Sequence, residues 1–311
     1  MLQQKKIFKT GIKLMGNHFE LSVVAENEDW AQTRINAAID EIKRIEKLLT
    51  SYSDSSDTYL INTNAGIAAV KVSVETFTLI ERSLRISALT QGAFDITYGS
   101  IDKSLWNFDT NMKSLPDKET AQQMVQLINY KNIVLDGEKT TVFLKEKGMR
   151  IGFGGIGKGY AADMAKKIMQ GMGVESGIVN ASGDLNAWGL QPNGKEWTIG
   201  IADPNTAGKI FSFINITGLA VATSGNYEKY IMVGGKKYSH TINPRTGLPV
   251  TGIKSVTIIT KIAEIADAMA TPITIMGVKA GLGLINQIND MEVIIVDDNN
   301  QVYTSKNICI N

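Results

Sequence analysis

The segment Gly152-Phe153-Gly154-Gly155-Ile156-Gly157-Lys158-Gly159 constrains this chain more than any other. It follows an apolar stretch, 149–153, that reads as a strand, and precedes a helical pattern over 160–172. Glycines let a backbone approach an anion closely, and the N-terminus of the following helix adds partial positive charge. Read as G-x-G-x-x-G, the loop fits a dinucleotide fingerprint. Read as G-x-x-x-x-G-K, it fits most of a P-loop, with Asp297 after Val293-Ile294-Ile295-Val296 as the acidic strand such a site needs. Each pattern is incomplete. A P-loop puts Ser or Thr after the lysine, where this chain has Gly159; Asp297 falls in a turn-like Asp297-Asp298-Asn299-Asn300; and the region after the helix reads as antiparallel. The plain alternative is a tight strand-to-helix turn.

Global charge does not decide between ligands. Lys and Arg total 32 against 31 Asp and Glu, so an anion must be held by a local site. The single cysteine, Cys309, forms no internal disulfide, and two histidines, His18 and His240, exclude a multi-histidine metal site within the chain. A metal here would be a hard ion held by oxygen. With 43% hydrophobic and 20% charged residues the composition is that of a globular protein. The opening MLQQKKIFKTG has no apolar core of an export signal, and no run of about 18 apolar residues follows, so the chain as given is expected neither to cross a membrane nor to be exported.

Periodicity places a strand over 12–25, interrupted at Met15-Gly16-Asn17, and an amphipathic helix over 28–49 with Ile35, Ala38, Ile39, Ile42, Ile45 and Leu49 on one face. Further helices are expected over 73–90, capped by Ser73, and over 117–128. A hairpin follows, 132–135 with 141–144 around Asp136-Gly137. Residues 177–260 read mostly as strands, with hairpin signals at Asn193-Gly194 and Gly234-Gly235. Helices near 263–276 and 280–288 precede a last hairpin, 293–296 with 301–304. Strands and helices are segregated more than alternated, which points to an α+β fold in one domain, 12–305, with short extensions at 1–11 and 306–311.

Several short motifs occur together and in order. Gly92-Ala93-Phe94-Asp95-Ile96-Thr97, followed by Leu105-Trp106-Asn107-Phe108, resembles the G-x-F-D segment and following tryptophan of the ApbE family, the FAD:protein FMN transferases. Gly154-Gly155-Ile156-Gly157-Lys158-Gly159 is similar to that family's G-G-I-A-K-G, and Asn180-Ala181-Ser182-Gly183-Asp184 to its N-x-G-G-D. Ala222-Thr223-Ser224-Gly225 matches A-T-S-G. Ser239-His240-Thr241-Ile242-Asn243-Pro244-Arg245-Thr246-Gly247 resembles S-H-x-I-D-P-x-T-G, and Ala266-Asp267-Ala268-Met269-Ala270-Thr271 resembles A-D-A-x-A-T. Met15-Gly16 and the Ser51-Tyr52-Ser53 element also fall in family order. The resemblance spans about Met15 to Thr304.

The resemblance implies a T-fold-like mixed fold, largely antiparallel sheets with packed helices, and an FAD cleft between two lobes. It implies magnesium beside the pyrophosphate of FAD, and transfer of FMN to a Thr or Ser hydroxyl of a target flavoprotein with release of AMP. The same cleft leaves open an FAD pyrophosphatase or a non-catalytic FAD-binding protein. Family acceptors include subunits of membrane redox complexes, and members are often exported and membrane-tethered. The cellular compartment of this chain stays open.

Carried over residue by residue, the metal ligands are Asp267, Thr271 and the carbonyl of Gly155. Asp267 and Thr271 are four apart on an expected helix and share a face; their plain alternatives are a helix cap and a back-bonded hydroxyl. His240 is the candidate general base, with a reference pKa near 6.5. Lys158 is expected to pair with a phosphate or flavin edge. Met15, Tyr52, Ala93, Phe94, Asp95, Asp184 and Ile242 are expected to line the flavin and nucleotide pocket, with simple core packing as the alternative for Met15, Phe94 and Ile242. His18 reads as structural. The chain departs from the pattern at Gly152 and Asn243, where the family has aspartates, at Asn226, another aspartate position, and at Ser182, a glycine position. Pro272 is expected to kink the metal-binding helix.

Overall fold

The computed structural model describes residues 4–105, 114–203, 206, 209–225 and 230–308. Trp106, Asn107, Phe108, Asn226 and Cys309 lie outside the described residues.

The expected strand over 12–25 is two strands, β1 (Lys6–Leu14) and β2 (Asn17–Ala25), paired antiparallel about Met15-Gly16. Both turn residues have positive φ, 50° and 71°, the two-residue turn whose twist suits a hairpin. β1 begins at Lys6, so the sheet takes in residues that a 12–305 boundary leaves outside. α1 (Glu28–Leu49) starts at Asn27, whose side chain accepts from the Trp30 amide, and its expected apolar face is buried. α2 (Asp57–Thr63) is short and has no periodic signature in the sequence. β3 (Val70–Lys71) and α3 (Val74–Leu89, capped by Ser73) follow, then a 3₁₀ turn, Ile96–Ser100. α4 (Lys118–Met124) is shorter than the expected 117–128. β4 (Ile133–Asp136) and β5 (Thr141–Leu144) join β3 in a small sheet of order β3-β5-β4.

Residues 149–153 do not form the expected strand. Their backbone groups are satisfied otherwise. The Ile151 amide donates to Asn62 Oδ1 (2.7 Å) and the Asn62 amide donates back to the Ile151 carbonyl (3.0 Å). The Arg150 amide donates to Ser100 Oγ, and the Gly152 amide donates to the Ile96 carbonyl. Side-chain amide and hydroxyl groups thus take the place of a ladder.

α5 (Gly157–Gly171) leads into β6 (Gly177–Ala181), β7 (Asp184–Trp188), β8 (Trp197–Ala202), β9 (Ile210–Ile216) and β10 (Leu219–Gly225). Asn193-Gly194 turns the chain between β7 and β8 without pairing those two strands. β11 (Tyr230–Val233) and β12 (Lys236–Ser239) form a hairpin about Gly234-Gly235, as expected. The chain ends with β13 (Ile253–Thr260), α6 (Ala263–Met276), α7 (Val278–Ile285), β14 (Met291–Asp297) and β15 (Val302–Thr304).

Eight strands make the central sheet, in the order β1-β2-β6-β7-β10-β13-β14-β15, with every pairing antiparallel. α1, α5 and α6 cover one face, and the β8–β9 hairpin covers part of the other. Val256, Ile258, Val293 and Ile295 point into the helix-side core, while Ile259 and Ile294 pack under the hairpin with Trp197 and Ile216. Burial on both faces explains why β14 carries the continuous apolar run 293–296, each such side chain contributing about 1.5–3 kcal/mol of transfer free energy. No helix among the described residues is long and apolar enough to cross a membrane.

Candidate functional site at the start of α5

α5 begins inside the glycine loop, three residues ahead of the expected start, because Gly157 and Gly159 hide its first turn from a propensity reading. Both glycines are buried, and Gly159 has a steric reason to be glycine. A Cβ there would overlap the backbone carbonyl of Ala263 at the first residue of α6. This crossing removes the P-loop reading, since no Ser or Thr fits after Lys158.

The close crossing brings Asp267 of α6 onto the first turn of α5. Its Oδ2 accepts from the Gly159 amide (3.1 Å) and its Oδ1 from Lys158 Nζ (3.0 Å). The same ammonium lies 2.6 Å from Asp184 Oδ2, at the start of β7. Asp184 and Asp267 are 5% and 6% exposed, so one cation compensates two buried carboxylates. Burial works against the Lys158 charge, yet the charges of Asp267 and Asp184 outweigh it and hold its pKa above the ordinary lysine value. Burial, reinforced by the charge of Asp267, pushes the Asp184 carboxyl up, against the pull of Lys158 and the Thr223 amide. Within the protein, the partners of Lys158 are these two acids.

Two residues outside the sequence reading hold this arrangement. Asp163 of α5 accepts from the Ala263 amide (3.0 Å) and the Glu264 amide (2.9 Å), capping α6 from a neighbouring helix. Glu264, itself buried, takes a two-pronged ion pair from Arg82 of α3 at 2.6 and 2.9 Å. The one sequence signal for Asp163 is an acid on the buried side of a helix among Tyr160, Ala161, Ala162 and Ala165. Pro272 does not end α6, which runs on to Met276 and stops at Gly277 with φ 83°.

One turn beyond Asp267, the Thr271 hydroxyl has no hydrogen-bond partner among the described residues, whereas Thr274 bonds back to the Ala270 carbonyl. The Gly155 carbonyl likewise accepts no hydrogen bond among the described residues. A carboxylate, a spare hydroxyl and a spare carbonyl are all oxygen donors, the chemistry that suits a small hard cation. No cluster of three His, Cys, Asp or Glu that could hold a metal ion occurs among the described residues.

The other expected pocket residues divide into groups. Met15 Cε packs beside Gly157, and the edge of the Phe94 ring faces Gly155, 3.6 Å from where a Cβ would sit. Ala93 and Phe94 are buried. Asp95 accepts from the Thr97 amide (2.8 Å), the Thr97 hydroxyl (2.6 Å) and the Tyr130 amide (2.9 Å), so its carboxylate braces the segment that carries Phe94. Burial nevertheless raises its pKa. Ile242 sits in a satellite core with Met124 and Val125. Tyr52 is not packed: its side chain is 94% exposed.

His240 lies on the hairpin side of the sheet. It lines a cleft of about 640 Å³ with Thr223, Ser224 and Gly225 at the end of β10 and Ser182-Gly183 at the β6–β7 turn. The link to the acid pair is short: the Thr223 backbone bonds the Asp184 carboxylate, which holds Lys158, which holds Asp267. The ends of β7 and β10 thus separate an acid–lysine cluster from an exposed imidazole.

The ApbE family profile matches residues 15–295. The chain belongs to the ApbE family. It is 30% identical over 306 residues to the FAD:protein FMN transferase of Klebsiella pneumoniae, covering 98% of this chain and 93% of that protein. It is 28% identical to the enzyme of that name from Treponema pallidum, covering 88% and 81%. Among solved structures, the ApbE protein of Thermotoga maritima superposes with a TM-score of 0.85 at 30% identity, covering 97% of each chain. The apo flavinyl transferase ApbE of Pseudomonas stutzeri gives 0.84 at 26%, covering 98% and 96%. The expected ApbE-type α+β fold is the fold observed.

Two departures from the ApbE pattern have local explanations. Ser182 occupies a left-handed position (φ 54°) suited to glycine, but its hydroxyl bonds the His18 backbone amide and carbonyl, each at 3.2 Å. Asn243 Oδ1 accepts from the Arg245 amide (2.9 Å), a turn-forming bond that an ApbE aspartate would make equally well. Around Gly152 nothing lies within 4 Å of a built Cβ, so the missing carboxylate leaves open space and no repacked core.

Proposed function

We propose that this chain is a magnesium-dependent flavin transferase that moves FMN from FAD to a Thr or Ser hydroxyl of a target protein. Membership of the ApbE family supports FAD as the donor and a protein as the acceptor. The single structural observation that carries the reading is the placement of Asp267 against the glycine-loop start of α5.

In this reading Asp267, Thr271 and the Gly155 carbonyl hold the ion, and the glycine loop with Lys158 receives the pyrophosphate of FAD. Magnesium, when bound, neutralises charge on the phosphates and on departing AMP. Met15 and Phe94, packed at that same loop, provide apolar surface for the flavin, with Tyr52 free to fold over it. His240 takes the proton of the acceptor hydroxyl. That oxygen bonds to the FMN phosphorus, the bond from that phosphorus to the bridging oxygen breaks, and AMP leaves with the electron pair. Aligning these groups is most of what phosphoryl transfer asks of a protein. An electron-transfer protein, such as a redox-complex subunit, suits this chemistry as acceptor, because a covalently held flavin cannot dissociate.

The test combines FAD, magnesium and acceptor with wild-type protein and His240→Gly. The variant is expected to bind FAD but yield no FMN-acceptor adduct by mass; undiminished labelling would remove His240 from the mechanism. Manganese binding, read by electron paramagnetic resonance, should be lost in Asp267→Ala. Binding that survives that change moves the metal elsewhere. Release of FMN and AMP without acceptor would instead favour the pyrophosphatase reading.

A further inference from the structure

The cleft that ends at His240 is built in two different ways. Its floor is the face of the central sheet, because the lining residues alternate: Ile7 and Lys9 on β1, Glu20 and Ser22 on β2, Ile178 and Asn180 on β6. Its wall is β8, and there the lining runs through consecutive residues, from Trp197 to Ala202. A strand that shows every residue to a cavity presents its edge, since a strand face presents every second one. No residue of β9 lines the cleft, so β8 stands between β9 and the open space. β8 pairs only with β9 among the described strands, and its remaining backbone groups have no backbone partner among the described residues.

An unpaired strand edge beside a groove is a template for an added strand. Here the groove is polar, with the Lys9–Glu20 ion pair (3.2 Å) on its floor, and it runs to the imidazole expected to take a proton from the acceptor. We propose that the acceptor protein presents its hydroxyl on an extended segment that docks as a third strand on the free edge of β8, with the hydroxyl side chain delivered to His240 at the end of the groove. This rests on the transfer reading above and adds how the acceptor is recognised: by main-chain hydrogen bonds, with side-chain selectivity confined to the positions that meet the sheet face. The donor then approaches from the α5 side and the acceptor from the hairpin side.

The test uses the intact protein with FAD, magnesium and a pool of synthetic peptides of about twelve residues, longer than the roughly 20 Å that β8 spans. Each peptide carries a single central threonine. FMN adducts are detected by mass and AMP is measured in the same samples. In the labelled peptides, each amide is then replaced in turn by an ester, which removes one donor and keeps the side chains. The expected result is a rise in KM of about fivefold at every second position, with silent positions between, as for the loss of one strand hydrogen bond at a time. A uniform effect, or none, overturns strand docking. FMN and AMP release with no labelled peptide also overturns it and leaves FAD turnover standing, whereas loss of both overturns the transfer reading as well.

Discussion

Gly159 and Ala263 stand back to back where α5 crosses α6, with no room between them for a single methyl group. Gly159→Ala should therefore destabilise the protein by about 1–3 kcal/mol through overpacking at the crossing. Gly154→Ala, in open space with ordinary φ, should change stability by no more than about 0.5 kcal/mol. Thermal melts of the two variants check the contrast; equal melting temperatures would mean that the helices part easily.

Gly152→Asp restores the carboxylate that the ApbE pattern carries. Because the space around Gly152 is empty, the variant should melt with the wild-type. One charge-assisted hydrogen bond to FAD would tighten binding about tenfold. Fluorescence titration with FAD reads this directly, and unchanged affinity would mean that this family contact is replaced here by another group.

Burial, helped by the charge of Asp267, pushes the Asp184 carboxyl up to about 7, whereas in the unfolded chain it returns to 3.8. Between those values the folded state holds the extra proton. Its contribution to stability is full below about pH 4 and is lost as pH rises through 7. Asp184→Asn should flatten this part of the pH profile. Melting temperatures in chelator from pH 5 to 8 test it: a wild-type slope no steeper than that of the variant would contradict the shift.

At Ser182 two effects oppose each other. A left-handed φ costs a non-glycine residue about 1–2 kcal/mol, and the hydroxyl bond to the His18 backbone returns about 0.5–1.5 kcal/mol. Ser182→Gly should be close to neutral. Ser182→Ala keeps the strain without the bond and should lose about 1 kcal/mol in urea denaturation. The reverse order would show that the hydroxyl is not what makes serine tolerable there.

α1 was legible to the residue because its apolar face repeats at helical spacing. The backbone partners of residues 149–153 were not, because an apolar run looks the same whether its amides face a strand or, as here, Asn62 and Ser100. The first turn of α5 was hidden by glycines whose purpose is a close crossing, visible only once α6 is in place. Motif order named the acids and the imidazole. It could not show that Lys158 spends its charge on Asp184 and Asp267, since those three residues lie far apart in the chain and meet only where α5 crosses α6 beside the start of β7.

The capping of α6 by Asp163 joins the two helices at a third point, beyond the glycine crossing and the Asp267 bonds. Fastened three times over, α5 and α6 cannot slide or roll against each other without breaking several links at once. They behave as one block, so any tightening around a nucleotide has to be supplied by the loops and hairpins that border this pair.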